Sequence, residues 1–96
     1  MSLPRQMANI GSETYRTLKW IEKEKPERAA QAFDRALDLI DLTLIYGRCS
    51  NNSLRTPLLY EICRLREDFC NAFFLKDTQS LRGINKYLDA FAKVAD

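Results

Sequence analysis

The 96-residue sequence contains no histidine, and that absence excludes more than any other count does. Neither a Ser-His-Asp triad nor a Cys-His couple can be assembled. A di-iron bundle site, which draws Glu-x-x-His from facing helices, is equally out of reach. Cysteine is scarce as well. Cys49, Cys63 and Cys70 fall one short of a four-thiolate zinc site, and no C-x-x-C pair is present to act as a redox motif. Glycine and proline, at 3 each, are too few for a turn-rich all-β chain, and no glycine loop is built to cradle phosphate. No run of 18 apolar residues occurs, so no membrane-spanning helix is expected. Nothing near the first residues has the pattern of a signal peptide, and the uneven thiol count points to buried, reduced cysteines. A cytoplasmic location follows as the expectation, with no cofactor and no metal.

What is present describes one small domain over residues 1–96. Hydrophobic residues make up 46% of the chain and charged ones 29%, a balance that supports a packed core rather than disorder. The 15 Lys and Arg nearly cancel the 13 Asp and Glu. A nucleic-acid binder concentrates a larger basic excess, so that partner class is disfavoured by charge.

Periodicity predicts an all-α protein, an antiparallel up-down four-helix bundle. The first helix is placed at about 3–24, where Leu3, Met7, Ile10, Thr14, Leu18 and Ile21 recur at three- and four-residue steps through Gly11. Pro26 opens a second helix over 26–46, and Gly47 is expected to close it in a left-handed conformation. Ala29, Phe33, Ala36, Leu37, Ile40 and Leu44 form its main apolar face, while Leu39, Leu42 and Tyr46 form a second. A helix apolar on two sides is normally central, or shared with another subunit. After a polar stretch around Asn51 and Asn52, Thr56-Pro57 signals a third helix over 57–75. Asp77 or Thr78 caps a fourth over 78–95. The pattern A-x-x-x-F-x-x-A-L from Ala29 to Leu37 is similar to the second helix of a tetratricopeptide unit. The W-x-x-L-G pattern that precedes it in that family is missing, and small residues packed beside an aromatic account for the match.

Three constellations stand out. Arg66 falls in the middle of the third helix's apolar arc, between Ile62, Cys63 and Phe69, at about 100° per residue. An arginine there must pair or snorkel. Asp34, Asp38 and Asp41 share one face of the second helix, so an ion pair from Arg66 to Asp38 or Asp41 is expected to set the helix register. The same acidic row lacks the ligand number of an oxygen-coordinated cation site. Second, Arg5, Arg16, Lys19 and Lys23 surround Trp20 on the first helix, the composition of a nucleic-acid face. Third, Leu39, Leu42, Tyr46, Phe73 and Phe74 exceed what a chain of this length easily covers. The expected function is a non-enzymatic protein–protein interaction module, self-associating as a homodimer or binding another protein. The alternative is a nucleic-acid or anion binder using the first helix.

Overall fold

Four helices form in the computed structural model: α1 (Leu3–Glu22), α2 (Pro26–Cys49), α3 (Thr56–Phe74) and α4 (Thr78–Val94). The structure describes residues 3–49 and 56–94, with side chains over 5–45 and 59–90. No strand occurs among the described residues, and the molecule is an all-helical bundle.

The helix ends are set by backbone chemistry that periodicity does not carry. α1 stops at Glu22, two residues before the predicted end, because Glu24 adopts a left-handed φ of 58°. The Lys25 N–H then donates to the Trp20 carbonyl at 2.9 Å and the Glu24 N–H to Ile21 at 3.0 Å. This is the paired hydrogen-bond pattern that terminates helices after a left-handed residue. α3 ends the same way, at Phe74 rather than Leu75: Lys76 has φ 54°, and Asp77 N–H reaches the Ala72 carbonyl at 2.8 Å. In contrast, α2 runs three residues past its predicted end, through Gly47 to Cys49. No glycine of the described chain has positive φ, so Gly47 continues the helix instead of closing it. Cys49 therefore belongs to α2 and not to a polar loop. The shifts by one residue, at Thr56 and Val94, lie within the fraying of any helix end. At the start of α4, Asp77 caps the helix. Its Oδ1 accepts the Ser80 N–H at 3.1 Å and its Oδ2 the Ser80 hydroxyl at 2.7 Å. These bonds hold the Asp77 carboxyl below its ordinary value.

α1 packs extensively against α2 and α4, while α3 meets α2 and α4 more sparsely; α1 with α3, and α2 with α4, make no contact among the described residues. Each helix thus touches two neighbours, and α1 is the most extensively packed of the four; α2, with its two apolar strips, has no more neighbours than the others. Met7, Ile10 and Leu18 of α1 join Phe33, Ala36 and Ile40 of α2, Ile62 and Phe69 of α3, and Leu81 and Leu88 of α4 in one core. Contacts run in opposite residue order along neighbouring helices. Gly11 faces Leu88 and Thr14 faces Asn85 across α1 and α4, while Phe33 stacks on Phe73 and Asp41 meets Arg66 across α2 and α3.

The inner face of α1 also buries Glu13, Thr14 and Thr17. Each has a partner. Thr17 Oγ1 donates to the Glu13 carbonyl at 2.8 Å. Thr14 Oγ1 donates to the Asn85 side-chain oxygen and lies 3.0 Å from the Gly11 carbonyl. The Glu13 carboxylate accepts from Arg16 Nη1 at 2.7 Å and from Arg35 Nε of α2 at 3.2 Å.

Two glycines inside helices contrast. A glycine there weakens the helix by about 1 kcal/mol relative to alanine. At Gly11 a Cβ would lie 3.2 Å from the Leu88 Cβ, so the bare backbone permits the close approach of α1 and α4. At Gly83 a Cβ would meet nothing within 4 Å.

Two stability predictions follow from this geometry. Gly11→Leu should destabilise the protein by about 1–3 kcal/mol, as overpacking does. Lys76→Gly should stabilise it by about 1 kcal/mol by relieving a left-handed L-residue. Urea unfolding monitored by circular dichroism measures both, and a neutral Gly11→Leu would remove the close-approach explanation.

Candidate functional site

Helical spacing puts Leu59, Cys63, Cys70 and Phe74 on one side of α3, together with Arg66. Arg66 Nε donates to Asp41 Oδ1 of α2 at 2.9 Å, which brings this side of α3 against α2. Both partners remain partly exposed. The hydrogen bond from Asp41 raises Arg66 above its already high ordinary value, so the guanidinium stays charged. Asp38 and Asp34 are exposed on the same face of α2. A pair this accessible to water contributes little to stability. Its geometric effect is to place α2 and α3 in register.

Cys63 and Cys70 are free thiols and half-buried, where the sequence predicted full burial. The reason is their position: they flank Arg66 at the margin of the α2–α3 seam instead of lying within the core. About 10 Å of helix rise separates them, too far for a disulfide across a continuous α3.

The five predicted interface residues divide. Phe73 is half-buried, its ring stacked on Phe33 at 3.9 Å between centroids. Leu39 is half-buried against the core. The side chain of Tyr46 lies outside the described residues. Leu42 and Phe74 stay in solvent, 60% and 73% exposed. The Phe74 ring meets Phe33 and Phe73 edge-on, at 5.7 and 5.4 Å, so it is held in place while exposed. Two residues missing from the predicted set join them, Ile45 at 57% and Tyr60 at 71% exposure. Ile45 falls one turn beyond Leu42 on α2. The signal for it is its i,i+3 spacing from Leu42, inside the helix expected over 26–46.

The predicted basic face of α1 is largely engaged. Arg16 pairs with Glu13 at 2.7 Å, and Lys19 with Glu22 at 3.4 Å while sitting 5.3 Å from the Tyr15 ring. Trp20, half-buried, carries Lys23 at 5.3 Å and Arg28 of α2 at 4.9 Å from its ring. Arg5 is exposed. Glu22 also accepts from Arg82 of α4, and that bond holds its carboxyl below the ordinary value. Among the described residues, no three metal-ligating side chains converge, and no helix is long and apolar enough to cross a membrane.

On the other side of α3, the Tyr87 hydroxyl of α4 donates to Glu61. Burial, with Glu61 adding to it, pushes the Tyr87 phenol up to about 12. No family model, curated protein or solved structure matches this chain.

A raised phenol value means that the folded chain holds its proton more tightly than the unfolded chain does. The associated stability is complete below the ordinary value of 10.0 and is lost as pH rises through about 12. Absorbance titration of tyrosinate should show one late-ionising tyrosine, which Tyr87→Phe removes. The same substitution should flatten the fall in stability above pH 10. A titration unchanged by Tyr87→Phe would refute the assignment of the late ionisation to Tyr87.

Proposed function

We propose that this protein is a non-enzymatic interaction module that self-associates as a homodimer through the α2–α3 seam, and that it works in the cytoplasm. The observation that carries the reading is the set of large apolar side chains left in water on α2 and α3: Leu42, Ile45, Tyr60 and Phe74. Scattered single hydrophobes are ordinary on a protein surface. Here Phe74 instead belongs to an ordered aromatic cluster with Phe33, Phe69 and Phe73. Aromatic anchors of this kind concentrate binding energy at interface centres.

Symmetry supports a second copy as the partner. A two-fold interface presents the same patch from both subunits, so an apolar seam meets an apolar seam. Arg66 and the row Asp34, Asp38 and Asp41 lie beside that seam. Around a two-fold axis they place opposite charges within reach of each other. The alternative, a nucleic-acid face on α1, draws less support. Arg16 and Lys19 pair with carboxylates, and Lys23 stacks on Trp20 with Arg28.

Sedimentation velocity across low to tens of micromolar protein tests the reading. The wild type should show a concentration-dependent dimer, and Leu42→Glu with Phe74→Glu should weaken it more than tenfold while leaving helix content unchanged. Thiol labelling gives a second readout: Cys63 and Cys70 should react faster at concentrations where the dimer dissociates. A wild-type monomer throughout that range sinks the proposal.

A further inference from the structure

α3 and α4 part along their outer side to leave an open groove of about 500 Å³. Leu65, Ala72 and Ile84 form its floor, and Leu75, 77% exposed, stands at its edge. The groove is separate from the α2–α3 seam, because helical spacing places Leu65 and Ala72 on the opposite flank of α3 from Cys63 and Phe74.

Gly83 lines this groove. Glycine weakens the middle of a helix, and at Gly11 the close approach of Leu88 gives the reason for it. Within its own chain Gly83 has no such reason: nothing lies within 4 Å of where its Cβ would be, and its φ is not positive. What the missing side chain does is leave α4 backbone bare to whatever enters the groove.

The rim has a sign. Glu61, Asp68 and Asp77 line it against a single guanidinium, Arg64, for a local charge of −2 on a chain whose net charge is +2. Glu61 and Asp77 are fixed in place, the first by the Tyr87 hydroxyl and the second by Ser80.

We infer that this groove binds an amphipathic helix of another protein, one with an apolar stripe and flanking Lys or Arg residues. The walls decide between helix and strand. Both are helices whose backbone groups are already paired, so an extended segment would find no ladder to join, whereas a helix satisfies its own backbone. From Glu61 to Leu75 the groove follows about 21 Å of α3, or close to four turns of a docked helix. A small residue of the incoming helix lies against Gly83, its apolar stripe covers Leu65, Ala72 and Ile84, and its cations meet the three carboxylates.

A fluorescein-labelled 16-residue peptide with leucines at i, i+3/i+4 and i+7, flanked by lysines, tests this by anisotropy. Two companions accompany it, one with glutamates for the lysines and one with the leucine positions scrambled. Wild-type protein should bind the lysine peptide at least tenfold more tightly than either companion. Gly83→Phe, which fills open space and leaves the fold intact by circular dichroism, should weaken binding at least tenfold. Asp68→Lys should weaken it severalfold, and Gly83→Ala less than Gly83→Phe. Equal binding to Gly83→Phe, equal binding of the glutamate or scrambled peptide, or no binding at millimolar peptide would overturn the inference. Sedimentation separates it from self-association. Gly83→Phe should dimerise like the wild type, and loss of the dimer in that variant would assign the groove to a second copy and overturn the inference.

Discussion

The close approach of α1 and α4 at Gly11 is the constraint from which the rest of the arrangement follows. With the Leu88 Cβ only 3.2 Å from where a Gly11 Cβ would stand, α4 sets a side chain directly against the bare backbone of α1. One turn further along, Thr14 reaches Asn85, a buried pair that exists only in this register. A buried hydroxyl or amide left without its partner costs roughly 1–3 kcal/mol. A slide of α4 by one residue would take Asn85 away from Thr14, whose hydroxyl would keep the Gly11 carbonyl while the amide lost its partner. Glu13 extends the same logic to α2 through Arg35. α1 is therefore keyed on two sides by polar contacts and makes the most extensive packing in the bundle, although another helix is less polar.

That helix is α2, and its sparse packing on α3 has consequences. Its main apolar face finds the core through Phe33, Ala36 and Ile40, but the far side, with Leu42 and Ile45, is left facing water. α3 is held less firmly than α1. Its contacts with α2 rest on the phenylalanine cluster and the Arg66–Asp41 pair, and those with α4 leave a groove between them. The firmly keyed part of the molecule is thus α1 with its two neighbours. The loosely covered part is α3, and both candidate binding surfaces lie on it.

Periodicity made the four helices and most of the core legible, because burial of one face repeats every three or four residues whatever the detailed packing. Met7, Ile10, Leu18, Phe33, Ile40, Phe69, Leu81 and Leu88 could all be placed from spacing alone. The end of a helix is a different kind of event. Glu24 and Lys76 carry no glycine signature, yet both take left-handed conformations, while Gly47, which has that signature, stays helical. Composition records a preference for a conformation, and local hydrogen bonding decides whether it is used. The buried carboxylate was hidden for a related reason. Glu13 is one of several acidic residues on a basic helix, and its burial is compensated by Arg16 one turn on together with Arg35, which arrives from 22 residues away. For the candidate site, the exposed phenylalanine at 74 and the leucine at 42 could be read from surplus hydrophobicity. The groove could not, since it is made by the sparse packing of α3 on α4.

The distribution of firm and loose packing bears on what such a small chain gains from a partner. A domain of about this size buries a lower fraction of its surface than a large one and has little stability in reserve. Apolar side chains left mostly in water bring it little further stability, so Leu42, Ile45, Tyr60 and Phe74 contribute to a folded monomer less than their hydrophobic area would allow. Under self-association the same side chains become core, and folding and assembly are linked by mass action. The helix least well held in the monomer, α3, is then the one with most to gain from the dimer, because it carries half of those side chains on the sparser packing. The α3–α4 groove would inherit that effect. Most of its floor and rim sit on α3, so a dimer that steadies α3 also preorganises the groove, and the two surfaces are coupled through one helix without any change in the register that Gly11 and Thr14 impose.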